Sequence, residues 1–253
     1  MQIPAAFFTD YHVHTSISPC ARQEMTLERI IERAERRGYR AIGISDHAYA
    51  ETWERILGLR REVEALDTGL EVYLGCEVDV LHDGSLSVGA DLLAELDYVL
   101  AAPTHSLQMF DPDGADEDAR REQIERWFAL TECCCEHPVL DAIAHPLRGL
   151  GGGFEAEPLL NGLEEGRVGR LLDKLRAAGL ALELTDSMEN YRSACEGIRR
   201  FYGAAERRGF LFCPGSDAHG LDRLGHQWHA VWLYRDLGLD GTRMWRPGGE
   251  GPR

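Results

Sequence analysis

Lysine is almost absent from this chain. Of the 27 basic residues, Lys174 is the only lysine and the other 26 are arginine. This scarcity excludes a phosphate-binding loop of the Walker type, which requires a lysine after its glycines. Enzymes that use a Schiff-base or carbamylated lysine are also excluded, unless Lys174 itself is the reactive group. Lys174 falls within a predicted amphipathic helix, at a position expected to be solvated.

Long apolar runs are missing as well, and the first residues, MQIPAAFFTDYHVH, lack a charged region followed by an apolar one. We therefore expect neither a membrane span nor a secretory leader. The seven cysteines are odd in number and show no paired spacing, which favours a reducing compartment over a disulfide framework. Together these features predict a cytoplasmic protein.

Three of the cysteines, Cys133, Cys134 and Cys135, are adjacent. Adjacent residues of a helix point about 100° apart, so their thiols cannot converge on one ion as those of a C-x-x-C pair can. We interpret this cysteine run as structural.

Basic residues are fewer than acidic ones, 27 against 43, and the formal net charge is −16. This balance disfavours binding of long nucleic acid or of an anionic membrane. A short strand, a mononucleotide or a small phosphorylated substrate is still allowed. With 44% hydrophobic residues over 253 positions, the chain can bury one sizeable core.

Short apolar stretches rich in branched and aromatic residues recur along the chain, separated by amphipathic stretches. Seven are predicted to be buried strands: Phe7–Tyr11, Ala41–Ile44, Glu71–Leu74, Tyr98–Ala102, Ala142–Ala144, Ala181–Leu184 and Phe210–Cys213. The first helix is predicted to have Thr26 as its N-cap and to close at Gly38. Further helices are predicted at Glu51–Leu66, Ala90–Leu96, Asp116–Glu136, Leu163–Ala178 and Ser193–Arg208.

This alternation requires a parallel sheet with crossover helices. About seven βα units, in a chain of typical length for one α/β barrel, predict a TIM-like barrel. We expect a single domain over residues 1–253, with a core at about 7–232 and a C-terminal extension at 233–253. The glycine-rich segment Gly149–Gly153 and the residues that follow it are expected to form a loop, a candidate lid.

Six of the seven predicted strands end in histidine, aspartate or glutamate. The residues follow in the segments Tyr11-His12-Val13-His14, Ser45-Asp46-His47, Gly75-Cys76-Glu77-Val78-Asp79, Thr104-His105, Ala144-His145 and Ser216-Asp217-Ala218-His219. In a parallel barrel these ends meet at one face, where such enzymes carry their chemistry. At strand periodicity His12 and His14 point to the same side, so both can reach one ion. The pattern therefore predicts a metal site.

A single histidine at a strand end is commonly no more than a hydrogen-bonded cap, and only the coincidence of six strands favours a site. The other histidines lack that placement. His82, His137, His226 and His229 are interpreted as surface or packing residues.

Six short segments follow one another along the chain: His12-Val13-His14-Thr15 with Ser18, Ser45-Asp46-His47, Gly75-Cys76-Glu77, His105, Ala144-His145-Pro146 and Gly215-Ser216-Asp217-Ala218-His219. Together they resemble the motifs of the polymerase-and-histidinol-phosphatase (PHP) family of metal-dependent phosphoesterases. The resemblance runs in order from about residue 9 to 225. It implies a distorted (β/α)7 barrel with two or three divalent ions, usually zinc, iron or manganese.

The resemblance also implies the ligand sets. His12, His14, Glu77 and Asp217 would hold a first metal, Glu77 would bridge to a second held with His105 and His145, and His47 and His219 would contribute to a third. Cys20 stands where many family members have another histidine. Two interpretations of Cys20 stay open: a thiolate ligand of the third ion, which would favour zinc, or a packed residue in the turn Ser18-Pro19-Cys20-Ala21.

Two further residues are candidates at this face. Asp46 is expected to orient ligands more than to bind metal, and Arg148 could grip a phosphate oxygen bidentately. Arg22 and Arg223 are weaker candidates for the same role. Imidazole and carboxylate ligands suit zinc, iron and manganese about equally, so the residues alone do not choose the metal.

The function predicted from these residues is metal-dependent hydrolysis of a small phosphomonoester, with histidinol phosphate as one candidate. A nucleotide or oligonucleotide phosphoesterase or exonuclease is an alternative within the same chemistry. A metal-dependent amidohydrolase and a non-catalytic metal-binding module are alternatives from other classes. Many amidohydrolases bridge two metals through a carbamylated lysine, which Lys174 is badly placed to supply.

Overall fold

The computed structural model describes residues 3–107, 116–150, 157–185 and 191–249. Within these ranges seven parallel strands pair in chain order. They are β1 Thr9–Val13, β2 Ala41–Ile44, β3 Glu71–Asp79, β4 Tyr98–Ala102, β5 Ala142–Ile143, β6 Ala181–Thr185 and β7 Phe212–Gly215. The sheet nearly closes after β7, because the His14 amide donates to the Ala218 carbonyl oxygen at 3.1 Å. The predicted distorted (β/α)7 barrel is confirmed.

Helices carry the chain between the strands, as parallel pairing requires. They are α1 Leu27–Arg36, α2 Trp53–Glu64, α3 Ala90–Leu93, α4 Glu117–Cys133, α5 Glu157–Asn161, α6 Glu165–Ala177, α7 Tyr191–Arg207 and α8 Trp228–Asp236. The predicted ends of α1 are confirmed: Thr26 accepts a hydrogen bond from the Arg29 amide, and Gly38 follows the helix with a φ of +75°. None of the described helices combines the length and the apolar character of a membrane span.

Some element boundaries differ from the predicted ones for physical reasons. Phe7 belongs to a short 3₁₀ helix and not to β1, because its amide donates to the Pro4 carbonyl oxygen at 3.0 Å and not to a neighbouring strand. Strand β3 continues to Asp79, well past its apolar start. Helices α5 and α8 were not predicted, and the candidate lid falls largely outside the described residues.

The lower interior of the barrel is filled by aromatic rings. Tyr11, Tyr98 and Trp245 make edge contacts at 5.7–6.4 Å between centroids, and the Tyr98 hydroxyl donates to the Tyr11 carbonyl oxygen at 2.8 Å. Trp245 comes from the C-terminal segment, which is fixed there by its amide donating to the Phe212 carbonyl oxygen. This aromatic floor fills the end of the barrel opposite the strand ends that carry the predicted ligands.

A glycine in β3 makes room for this floor, and replacing it should destabilise the protein. A methyl group on Gly75 would lie 2.5 Å from Cζ and 2.7 Å from Cδ1 of the fully buried Tyr98 ring. We expect Gly75→Ala to lower the free energy of unfolding by about 1–3 kcal/mol, as overpacking does. Urea denaturation measures it, and Gly69→Ala, with open space around its Cβ, is the matched control. Equal midpoints for both variants would contradict the prediction.

Candidate metal centre

The predicted ligands come together at the carboxyl end of the barrel, around one glutamate. Glu77 is 1% exposed, and the strand pairing of β3 with β4 holds it opposite Leu100. Its Oε1 lies 2.7 Å from His145 Nε2 and 3.6 Å from His105 Nε2. Its Oε2 lies 3.1 Å from His47 Nδ1, 3.5 Å from His12 Nε2 and 3.6 Å from His14 Nε2. The two oxygens of one carboxylate thus face two different groups of imidazoles.

Asp217 completes the group on the Oε2 side. Its Oδ1 lies 3.2 Å from His14 Nε2 and 3.5 Å from His12 Nε2. Among the described residues, Asp217 (φ 52°) and His145 (φ 28°) are the only ones other than glycine with positive φ. A positive φ strains a residue that has a side chain, and such strain persists only where the surrounding contacts hold the backbone in place. Strained residues of this kind are typical of functional sites.

The electrostatics of the cluster favour charged carboxylates, and their effect on the imidazoles differs from one histidine to the next. Burial alone would raise the pKa of Glu77, but His105, His12 and His145 lower it well below its usual range. Burial lowers the pKa of His14 to about 3, and it lowers that of His145 as well. Burial also opposes the charge of His12, but the carboxylates of Glu183, Glu77 and Asp217 outweigh it and raise the pKa of His12 well above its usual value. An ion bound by His12 would therefore displace a proton. A neutral imidazole has a free nitrogen lone pair, and a charged carboxylate attracts cations. Both are the states in which these side chains bind metal.

The histidines are oriented from outside the cluster. In four cases Nδ1 has a polar partner: His12 with Glu183 Oε1 at 2.7 Å, His14 with Ser18 Oγ at 3.1 Å, His105 with Asp79 Oδ1 at 2.8 Å and His145 with Thr104 Oγ1 at 3.1 Å. The carboxylates of Glu183 and Asp79 can only accept, so the Nδ1 atoms facing them carry the proton. The Nε2 atoms of His12 and His105 are then directed at Glu77, as in metal sites whose histidines are held by carboxylates.

Metal ions fit this arrangement. Both oxygens of Glu77, Nε2 of His145 and Nδ1 of His47 are buried, yet none has a well-directed hydrogen-bond partner among the described residues. Buried polar groups are nearly always satisfied, and an ion is one of the explanations for such a group. Three sets of donor atoms lie within 4.8 Å of one another: His12, His14 and Glu77; His47, Glu77 and His105; and His14, His47 and His219. The centre can therefore hold several ions, with His47 facing two of the three sets.

Sequence reasoning missed Glu183, which is fully buried in β6. Its Oε1 accepts from His12, and its Oε2 accepts from the backbone amide of His145. Gly215 on β7 leaves the necessary space, since a methyl group there would enter the Glu183 carboxylate. The available signal was a single carboxylate inside the apolar strand Ala-Leu-Glu-Leu-Thr.

Asp46 lies outside the group of ligand atoms. Its Oδ1 accepts from the Thr15 amide at 2.8 Å and from the Ser18 hydroxyl at 2.6 Å, and its Oδ2 accepts from the Thr15 hydroxyl at 2.6 Å. Because the Ser18 hydroxyl donates to Asp46, its oxygen accepts from His14 Nδ1. Asp46 thereby acts on His14 through Ser18 and fixes the loop that follows β1.

Cys20 lies on that loop, at the exposed rim. Burial opposes ionisation of its thiol, but hydrogen bonds with His219 and His47 outweigh that effect and lower its pKa to about 6. The residue is not packed beneath the rim. The structure brings its sulfur towards two of the predicted metal-binding histidines.

Arg148 lies on the same rim with its side chain about half exposed. One guanidinium nitrogen is 3.3 Å from His105 Nε2 and 3.8 Å from Asp217 Oδ2. It is therefore beside the cluster but open to a ligand. Arg22 instead pairs with Asp222 at 2.8 Å on the exposed surface.

Residues interpreted as structural have structural contacts. His137 Nε2 donates to the Gly84 carbonyl oxygen at 2.8 Å, and Cys134 is buried with its Sγ 3.7 Å from the Leu130 carbonyl oxygen. The cysteines of the described ranges are all unpaired.

Fold and site together define a metal-binding α/β barrel. The chain belongs to the PHP domain family, whose model matches residues 10–187. It is 27% identical over 227 residues to the DNA polymerase/3'-5' exonuclease PolX of Bacillus subtilis (strain 168). That match covers 85% of this chain and 35% of the relative, so the chain spans about a third of the length of that curated protein.

Two solved structures share the fold. The histidinol phosphate phosphatase of Lactococcus lactis subsp. lactis Il1403, complexed with zinc, L-histidinol and phosphate, has a TM-score of 0.63 and 17% identity, covering 92% of this chain and 94% of that one. The putative histidinol phosphatase of Listeria monocytogenes has a TM-score of 0.60 and 14% identity, covering 87% and 98%. These similarities establish the architecture of the barrel.

Proposed function

We propose that this protein is a metal-dependent phosphoesterase that hydrolyses a small phosphomonoester, with histidinol phosphate as one candidate substrate. The observation that carries the proposal is Glu77, whose two oxygens face two separate groups of imidazoles from one buried position. A carboxylate has two oxygens and can bridge two ions. Histidine, with one free lone pair, cannot do so.

The distances to Glu77 support two ligand sets. His12, His14, Glu77 and Asp217 would hold one ion, and Glu77, His105 and His145 would hold another. Bound divalent ions would supply an activated water and neutralise charge developing on the phosphate oxygens. The donor atoms suit zinc, iron or manganese, and the Lactococcus lactis enzyme was crystallised with zinc.

The chain's own residues would bind and orient the substrate. The Arg148 guanidinium is planar and can donate two parallel hydrogen bonds to phosphate oxygens. Because it lies at the rim beside His105 and Asp217, a phosphate that it holds is placed over the cluster. The buried carboxylates and their partners stay fixed beneath that phosphate.

A matched pair of arginine variants tests this role. We expect Arg148→Ala to lower kcat/KM for a phosphomonoester by about 10- to 100-fold, in line with the roughly 1.5–3 kcal/mol of hydrogen bonds to charged groups. Bound metal should not change, since the guanidinium contacts substrate and not the ions. Arg22→Ala, at the same rim but paired with Asp222, is the control. Unchanged kcat/KM at equal metal content would remove Arg148 from the site.

A second candidate function is cleavage of a nucleotide or a short oligonucleotide. The 27% identity to the Bacillus subtilis polymerase and exonuclease favours it, whereas the net charge of −16 disfavours long nucleic acid. An amidohydrolase with a carbamylated lysine is disfavoured, because Lys174 joins α6 to Glu132 of α4 by an ion pair on the outer surface. The unpaired cysteines of the described ranges support a cytoplasmic location.

A substrate panel distinguishes these functions. The purified protein, with its metal content measured, is assayed against histidinol phosphate, other small phosphomonoesters, mononucleotides and a short single-stranded oligonucleotide. Release of inorganic phosphate from a small monoester, lost on chelation and restored by metal, is the expected result. Release of mononucleotides from the oligonucleotide alone would favour the exonuclease, and no hydrolysis by the metal-loaded protein would refute the proposal.

A further inference from the structure

Two loops at the rim of the barrel are joined to each other beside the cluster. They are the loop that follows β2, residues 45–52, and the loop that follows β3, residues 80–89. The Ser87 hydroxyl donates to the Ala48 carbonyl oxygen at 2.7 Å, and its oxygen accepts from the Asp79 amide at 3.1 Å. Ser87 therefore ties the end of β3 to the residue that precedes Tyr49.

A second link between the same loops runs through side chains. The Tyr49 hydroxyl donates to Asp79 Oδ2 at 3.1 Å, and Asp79 Oδ1 accepts from His105 Nδ1 at 2.8 Å. The χ2 torsion of an aspartate has a broad range, so a carboxylate held at one oxygen only can turn. Because Tyr49 holds the other oxygen, the plane of the carboxylate is fixed, and with it the direction from which Oδ1 accepts.

Tyr49 is itself held in place. Its amide donates to Thr52 Oγ1 at 2.9 Å, and the Thr52 hydroxyl donates to the His47 carbonyl oxygen at 2.7 Å. Its ring lies nearly parallel to the His47 ring, at 21° and 5.9 Å between centroids, within the range of offset aromatic pairs. Both the backbone and the ring plane are thus fixed, and the hydroxyl is a rigid donor.

His105 depends on such a partner more than the deeper histidines do. Its side chain is 15% exposed, whereas those of His12 and His145 are fully buried. Packing on all sides restricts a buried imidazole, but a ring at the rim has fewer neighbours. The hydrogen bond from Nδ1 to Asp79 is therefore the main restraint on the direction of His105 Nε2, which lies 3.6 Å from Glu77 Oε1.

We propose that Tyr49 is a positioning residue of the centre, which acts through Asp79 to hold the His105 imidazole towards Glu77. The inference rests on the proposed function only in that the centre binds divalent metal. Tyr49 adds no ligand atom. Its removal should lower the affinity for the ion that Glu77, His105 and His145 would hold, and should leave the number of bound ions unchanged.

Chelator competition on the full chain tests this role without any substrate. Metal-free protein takes up Zn²⁺ in competition with a chelator of known affinity. Tyr49→Phe, which removes only the hydroxyl, should weaken the binding of one ion by about 10-fold, the lower end of the roughly 10- to 100-fold cost of losing partners outside the ligand set. The number of ions bound at saturating Zn²⁺ should equal that of the wild-type protein.

Tyr73→Phe is the matched control, because it removes the same kind of hydrogen bond from the same strand. Tyr73 lies near the start of β3, and its hydroxyl donates to Glu71 Oε2 at 2.9 Å. This control should bind Zn²⁺ as the wild-type protein does. Equal Zn²⁺ affinity of Tyr49→Phe and Tyr73→Phe would overturn the assignment.

A double-mutant cycle with Asp79→Ala separates action through Asp79 from a general loosening of the loop. Without the carboxylate the Tyr49 hydroxyl has nothing to hold, so adding Tyr49→Phe to Asp79→Ala should cost no further affinity. Residues that act through one contact are non-additive in this way. Losses that multiply would show that Tyr49 does not act through Asp79.

The phosphomonoester assay is read separately from the affinities. Weaker Zn²⁺ binding by Tyr49→Phe, with no hydrolysis by the metal-loaded wild-type protein, supports the positioning role and refutes the proposed function. Metal-dependent hydrolysis by the wild-type protein, with no effect of Tyr49→Phe on affinity, does the reverse.

Discussion

Replacing Glu77 by glutamine is expected to abolish phosphomonoester hydrolysis and to strip metal from the centre while the barrel stays folded. The carboxamide is neutral and has a single oxygen, whereas Glu77 faces His145 with one oxygen and His47 with the other. We expect metal affinity to fall by more than about 100-fold, because loss of partners outside the ligand set already costs 10- to 100-fold. The fold should persist because the aromatic floor and the apolar strands provide its stability.

Elemental analysis, turnover and thermal melting of the same preparations measure these effects. Glu71→Gln is the matched control, because Glu71 begins the same strand β3 and its side chain is exposed. The control should keep both metal and activity. A Glu77→Gln protein with near wild-type turnover would show that the centre is not the active site.

That the candidate ligand residues meet at one face could be predicted from the sequence because of barrel topology. All strands of a parallel barrel end at one face, so His12, Glu77 and Asp217 meet although more than 60 residues separate each from the next. To predict that these residues meet, it is enough to know that each lies at the carboxyl end of its strand. Strands such as Ala41–Ile44 and Tyr98–Ala102 were placed correctly because they are short, apolar and bounded by polar residues or proline.

The same pattern could not show which histidine faces which carboxylate oxygen. The position of His47 depends on distances across the barrel, and it lies within ligand range both of Glu77 with His105 and of His14 with His219. Those distances follow from strand register and from turns such as that of Asp217, where φ is positive. Neither quantity has a periodic signature in the sequence.

The role of Glu183 could not be predicted from the sequence for a related reason. A buried strand is recognised by continuous apolar residues, and one acidic residue within it gives no indication of a partner. The partner, His12, is 171 residues away, and only the closure of the barrel between β7 and β1 brings the two strands near one another.

Glu183→Gln should impair both metal binding and stability, although the two side chains have nearly the same shape. Both neighbours of the carboxylate are donors, namely His12 Nδ1 and the backbone amide of His145. A glutamine has one acceptor oxygen and one donor nitrogen, so it can satisfy only one of them. If the nitrogen faces the His145 amide, a buried donor is left unpaired, at a cost of about 1–3 kcal/mol.

If the glutamine nitrogen faces His12 instead, the imidazole can accept the hydrogen bond only by moving its proton to Nε2. That nitrogen is the one directed at Glu77 and Asp217, and once protonated it cannot bind metal. We therefore expect a 10- to 100-fold loss of metal affinity, a lower melting temperature of the metal-free protein, or both. Chelator competition and melting curves measure the two effects, with Glu165→Gln on the exposed start of α6 as control. Metal affinity and stability both equal to those of the control would show that Glu183 does not set the tautomer of His12.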